Sequence, residues 1–265
     1  MHALLNVAIM AARRAGGSLM RNLNQLEKLH IEQKGYNDYV SEADRQAEKT
    51  VIDVIHKHYP DHAIHAEESG AQGESDHVWI IDPLDGTTNF LHGFPIFAVS
   101  IGLQVKGRME HAVVYDPHRQ ELFTASRGEG AQLDGRRIRV SGRKDLEHSL
   151  IGTGFPFRNA NRETGPYMKM LERVLQNTSG IRRPGAAALD LAYVAAGRLD
   201  GFFETGLAPW DVAAGSLIIR EAGGIVSGLD GSEDYFDAGH ILCGTPKIYS
   251  GLAKLCAKEI KALLA

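Results

Sequence analysis

An apolar run that stops abruptly on an acid sets the strongest constraint on this chain. Residues Trp79–Phe90 read WIIDPLDGTTNF, preceded by Val78. Four apolar residues thus end at Asp82, and Pro83 lacks the amide hydrogen that a sheet ladder needs. The segment predicts a buried strand that delivers Asp82 at its C-terminal end and then turns. Asp85 follows three residues later, so both carboxylates can point into one small volume, with the Leu84 carbonyl between them. Hard oxygen donors packed this closely suit Mg²⁺; without a cation they repel, and one tends to protonate. Gly86 lets the backbone approach a ligand. Thr87 and Thr88 can start a short helix, whose first amides bind phosphate oxygens. An ordinary Asp-Gly or Asx turn uses the same residues, so the reading needs support from elsewhere.

Three other stretches bear on it. HAIHAEES at 62–69 is again a short strand ending in acid, Glu67-Glu68. Adjacent glutamates face opposite ways, so at most one reaches a shared site; a solvated acidic turn is the alternative. APWDVA at 208–213 places Asp211 ahead of an apolar helical pattern, where it could equally be a helix N-terminal acid. Ser41 and Asp44 match a capping box at a helix start.

Nothing in the composition redirects the argument. Net charge is −4 with no long run of one sign, which gives no electrostatic footprint for direct nucleic-acid binding. The two cysteines, Cys243 and Cys256, lack CxxC or His-rich settings and are expected as buried thiols of a reducing compartment. No apolar run approaches the roughly 20 residues of a membrane helix. The opening MHALLNVAIMAARRAG has its arginines after the apolar residues, the reverse of a signal peptide. A cytoplasmic protein that makes no membrane contact is expected.

Periodicity predicts a helix over residues 3–29, with Leu5, Ala8, Ile9, Ala12, Ala15 and Leu19 on one face, and a second from Ser41 to about Tyr59. Strands are expected at His62–Ala66 and Val78–Ile81. An antiparallel meander follows at Phe97–Val105, His111–Tyr115 and Glu121–Ala125, and Asp134-Gly135 signals a hairpin. Beyond residue 145 the expected order is strand Leu150–Thr153, helix Thr164–Gln176, helix Ala186–Ala196, strand Leu199–Phe203 and helix Trp210–Ala222. Gly223-Gly224 closes that helix; a strand near Ile241–Cys243 and one final helix complete the chain. This gives an α+β half over 1–145 and an α/β half over 146–265, packed as a single unit without a flexible hinge.

AEES at 66–69, WIIDPLDGTTNF at 79–90 and PWDVAAG at 209–215, in this order, resemble the inositol monophosphatase family over essentially the whole chain. The 12-residue central segment is highly specific; the other two are weak alone. YDPHRQELFTASRGEGAQLDG and AALDLAYVAAGRLDGFFETG are similar to its bacterial SuhB-type branch. The resemblance implies a mixed α+β and α/β layered αβαβα sandwich of the inositol monophosphatase/fructose bisphosphatase type. It implies Glu67, Asp82, Asp85 and Asp211 as metal ligands, joined by the Leu84 carbonyl, for two or three Mg²⁺ ions, with Li⁺ inhibitory. Gly86 and Thr87 would hold phosphate through their amides. Asp44 in KGYNDYVSEAD would partner Thr87 in activating the attacking water, and Lys34 would lie near the metal site; Asp38 is a cap or a support residue. Glu204 would accept hydrogen bonds from polyol hydroxyls, with Asp85, Asp211 and the backbone at Gly185–Ala187 adding contacts.

The implied activity is Mg²⁺-dependent hydrolysis of inositol monophosphate and similar small polyol phosphates by a metal-activated water, commonly in a homodimer. No side-chain nucleophile is required, so His62, His65 and His92 are expected at the surface or in packing. Ala186 stands where many relatives have Thr or Ser, and Ala208-Pro209 departs from animal enzymes. Fructose bisphosphate, a phosphoadenosine nucleotide and histidinol phosphate therefore stay open as substrates. The SuhB-type resemblance also implies a partner of the transcription machinery during ribosomal RNA synthesis, using Arg182-Arg183 or the Arg136–Arg139 strand; ordinary solvated charge is the favoured explanation of those arginines.

Overall fold

Strand side chains alternate between faces, and in this chain both faces of both main sheets are apolar. On the strand His77–Asp85, Trp79 and Ile81 point into one core while Ile80 points into another. On the strand Gly201–Thr205, Phe202 and Phe203 divide in the same way. A sheet apolar on both faces must be covered on both, which dictates layers. The computed structural model describes residues 2–35, 38–155 and 160–264, with side chains described except at 28, 33–35, 38–39 and 160–163.

The layers run α, β, α, β, α. Helices Ala3–Leu23 and Glu42–His58 cover one face of an eight-stranded sheet formed by residues 63–138. Helices Ala187–Ala195 and Pro209–Glu221 fill the middle layer. They pack between that sheet and a five-stranded one formed by residues 150–244. Helices Ala160–Asn177, Pro246–Leu255 and Ala257–Leu263 cover the far face. The expected meander is present, antiparallel from His77–Asp85 through Ala98–Val105, Arg108–Asp116 and Glu121–Ser126. Asp134 and Gly135, at φ of 49° and 77°, make the hairpin to Arg136–Ile138. Gly223 and Gly224 cap their helix as expected, donating to the Arg220 and Ile219 carbonyls at 3.0 and 2.9 Å.

Several boundaries differ. The first helix ends at Leu23, in an asparagine-rich stretch that competes with helical bonding, and a short 3₁₀ turn follows at Leu26–Lys28. The final helix is two helices, broken at Cys256, whose side chain buries alongside Leu252 and Ile260. The hairpin Ile31–Gly35 with Asp38–Ser41 was not expected. Nor were the three-residue strands Gly70–Gln72, Gly180–Arg182 and Ile225–Ser227, which are too short for periodicity to register. Cys243 and Cys256 are buried and unbonded; burial raises both thiols, Cys256 to about 12. Among the described residues, no helix is long and apolar enough to cross a membrane.

The histidines pack as expected. His65 meets Trp210 edge to face, and His92 is exposed at the end of a short helix. His62 stacks between Tyr59 and His77, and its Nδ1 accepts the Trp79 indole N–H at 3.0 Å. That bond requires an unprotonated Nδ1. Burial, with His77 beside it, holds His62 below its ordinary value of 6.5 against the opposing charge of Asp61. The unfolded chain therefore takes up this proton first, so the contribution to stability is complete above pH 6.5 and is lost as pH falls through the lowered folded value. His62→Asn keeps an acceptor that does not titrate. The drop in urea midpoint between pH 7.5 and 5.5, followed by tryptophan fluorescence, is expected to be smaller in this variant than in the wild type.

Candidate metal-dependent active site

The strand expected to end at Ile81 runs on through Pro83 to Asp85, so Asp82 lies inside it rather than at its end. Asp82 pairs with Ser100 and Asp85 with Ala98, so three steps on one strand oppose two on the other, a bulge at Pro83. A bulge bends the strand and re-aims its side chains. Asp82 Oδ1 accepts the Leu84 N–H at 2.9 Å, which closes the turn. The chain then reverses at Gly86, with φ of 91°, into the helix Thr87–Leu91. Only glycine serves there: a β-carbon would sit 2.9 Å from the Ile96 carbonyl oxygen and 3.3 Å from the Ala186 methyl.

Asp85 reaches across the molecule. Its carboxylate accepts the Ala187 N–H at 3.1 Å and the Ala188 N–H at 2.8 Å. Ala186, where a hydroxyl was expected to be missing, is the N-cap of this middle-layer helix and offers no side-chain cap. Asp85 caps it instead. The Ala187 amide, expected to face a ligand, is therefore committed to Asp85. Asn89 adds a second tie, donating to the Ile96 and Pro184 carbonyls at 2.9 Å and to Gly185 at 3.3 Å.

Asp211 arrives from the third motif at the start of Pro209–Glu221, where its carboxylate accepts the Ala208 N–H at 2.7 Å. The helix-acid reading of Asp211 and its place in a cluster both hold. Asp82, Asp85 and Asp211 each offer an oxygen, and the three lie within 4.8 Å of one another. Two ionised carboxylates at 4.8 Å repel by about 3 kcal/mol at an effective dielectric of about 20. Burial first, then the charges of Glu67, Asp85 and Asp211, push the Asp82 carboxyl well above the ordinary range. Burial and Asp211 push Asp85 to about 7, against the amides of Ala188, Ala187 and Leu189. Buried oxygen donors that destabilise one another are the donor set a divalent cation requires. The residues fit Mg²⁺.

Glu67 sits outside this tight triplet, yet its charge acts on Asp82. The charge of Glu68 acts instead on Arg45. Asp44 is fully buried. Its Oδ2 accepts the Ser41 N–H and hydroxyl at 2.9 and 2.6 Å, and its Oδ1 the Thr87 hydroxyl at 3.0 Å. The same hydroxyl lies 3.1 Å from the Leu84 carbonyl oxygen. Capping and contact with Thr87, posed as alternatives, use different oxygens of one carboxylate. Burial raises Asp44 while the bonds from Ser41 and Thr87 oppose the rise. The Lys34 and Asp38 side chains lie outside the described residues.

Glu204 stands inside the strand Gly201–Thr205 rather than at its end. Its carboxylate covers Gly154, where a β-carbon would meet Oε1 at 1.7 Å. Glu204 and Asp85 both act on Asp190, which is 1% exposed with an Oδ1 that no group among the described residues bonds. Sequence reasoning missed Asp190; the signal was a lone acid inside the apolar helical run AALDLAYVAA.

Substituting Gly86 tests the turn. Gly86→Ala is expected to destabilise the fold by about 2 kcal/mol or more, from a strained positive φ and the close Ile96 carbonyl. Urea denaturation measures it.

The chain and its fold are similar to known proteins. Nus factor SuhB of Pseudomonas aeruginosa is 54% identical over 257 residues, covering 95% of each chain. The crystal structure of the extragenic suppressor protein suhB from Bartonella henselae superposes with a TM-score of 0.94 at 47% identity, covering 97% of this chain and 99% of that one. The Thermotoga maritima IMPase superposes with a TM-score of 0.89 at 35% identity, covering 99% and 100%. Residues 1–261 match the inositol monophosphatase family, and this chain belongs to it.

Proposed function

We propose that this protein is a Mg²⁺-dependent phosphomonoesterase acting on inositol monophosphate and similar small polyol phosphates. The observation that carries the reading is the convergence of Asp82, Asp85 and Asp211 within 4.8 Å at the ends of a buried strand and a buried helix. With Glu67 and the Leu84 carbonyl they would hold the cations. Such ions acidify a water and neutralise charge on the phosphate and on the leaving oxygen.

The protein's own groups supply alignment, which dominates phosphoryl transfer. Thr87 donates its hydroxyl proton to Asp44 Oδ1, which leaves its oxygen lone pairs open to accept from an attacking water. Asp44 thus fixes the hydroxyl's direction and stands ready for the proton. Gly86 and Thr87 open a helix whose first amides have no intrahelical acceptor, so they can face phosphate oxygens. Glu204 accepts from substrate hydroxyls, with Asp85, Asp211 and the Gly185 backbone completing that side. The homodimer and the cytoplasmic setting belong to the same reading.

Phosphate release from a panel of polyol, sugar and nucleotide phosphates, with Mg²⁺ and with or without Li⁺, tests the proposal. Mg²⁺-dependent, Li⁺-sensitive turnover of the polyol esters is expected. Asp82→Asn is expected to lower it by about 10²–10³-fold. No Mg²⁺-dependent turnover on any ester would sink the enzymatic reading, and turnover confined to a nucleotide would displace the polyols.

A second reading is supported by the Nus factor name of relatives near 50% identity: association with the transcription antitermination machinery. Arg182, Arg183, Arg136, Arg137 and Arg139 are exposed and offer positive charge for it. Asp82→Asn is expected to pull down transcription elongation proteins as well as the wild type does. Charge reversal at Arg182 and Arg183 is expected to weaken the capture; equal recovery from that variant would remove these residues from the contact.

A further inference from the structure

Helix Glu42–His58 carries a second buried acid one turn beyond Asp44. Glu48 is 4% exposed and, four residues on, lies on the same helix face. Burying a charged side chain is costly unless it is hydrogen-bonded. Glu48 Oε2 accepts the Glu68 N–H at 2.8 Å. The contact leaves the helix and lands on the acidic turn that follows the strand Ala63–Ala66.

This bond bears on the neighbouring residue. The Glu67 N–H donates to the Ile81 carbonyl at 3.1 Å, on the strand that carries Asp82. The next amide, that of Glu68, is held by Glu48. Glu67 therefore lies between two anchored peptide planes, which fixes the direction in which its side chain leaves the backbone. Its charge accordingly bears on Asp82 while that of Glu68 bears on Arg45. Releasing the second anchor frees the 67–68 peptide to rotate, and the Glu67 carboxylate loses its aim. The same helix fixes Thr87 through Asp44, so one rigid element sets both the hydroxyl and this acid.

We propose that Glu48 is a positioning residue for the cation site: by holding the Glu68 amide it locks the Glu67–Glu68 turn so that the Glu67 carboxylate faces Asp82. The inference rests on reading Glu67, Asp82, Asp85 and Asp211 as cation ligands.

Binding of Mn²⁺ to the full-length protein, followed by loss of the free-ion EPR signal, tests it without recourse to turnover. Glu48→Met fills a similar volume but offers no oxygen acceptor, whereas Glu48→Gln keeps one. Supporting groups of this kind change metal affinity by about 10–100-fold. Mn²⁺ affinity is expected to fall at least about 10-fold in Glu48→Met and to stay within about threefold of wild type in Glu48→Gln. Glu48→Ala repeats the test should the methionine variant not fold. Unchanged Mn²⁺ affinity in a folded Met or Ala variant overturns the proposal, even where its melting temperature falls, because a purely structural role moves stability alone. Asp82→Asn runs alongside: if it binds Mn²⁺ as well as wild type does, the cation reading itself fails and the inference falls with it.

Discussion

The Asp85 carboxylate ties the first sheet to the middle layer. It leaves the first sheet at a bulge and accepts two amides at the start of a middle-layer helix, 102 and 103 residues further along the chain. Hydrogen bonds to a charged group contribute about 1.5–3 kcal/mol each. The two bonds thus compete on equal terms with the repulsion from Asp211. That balance explains how an acid so close to other acids stays in place: the helix start stabilises its ionised form, and a bound cation would remove the remaining repulsion. The neighbouring Gly86 reversal and the Asn89 bonds to Pro184 and Gly185 hold the same seam.

The first layer acts on the site through a single helix. Its N-cap box directs Asp44 inward, and the carboxylate divides its oxygens between the helix start and Thr87. A residue that caps the start of one element and holds a side chain of another couples the geometry of the site to the stability of the cap. Most of these groups sit at element ends for a common reason. Strand and helix interiors have their backbone groups paired, and only at their ends can carboxylates, carbonyls and amides converge on one point.

Much of this was legible beforehand where the signal was local. The apolar run before Asp82 could only be a buried strand, and Pro83 could only bend it. Asp134-Gly135 and Gly223-Gly224 carry their turn geometry in their own residues. The three-residue strands were not legible, because two alternations cannot be told from chance. The helix break at Cys256 was hidden for a different reason: the apolar period continues across it. Glu48 lies in an ordinary helical pattern, where only burial sets it apart from surface acids, whereas Asp190 was marked as a lone acid in an apolar helical run.

By itself the sequence determined that acids would stand at the ends of apolar segments, because residue type and spacing alone dictate strand, turn and helix start. Only the tertiary structure decided which acids share a volume. Distance between chain segments 40 to 130 residues apart is not encoded in local pattern; it comes from how the layers stack. Stacking brought Asp211 to Asp82 and gave Asp85 the helix that Ala186 leaves uncapped.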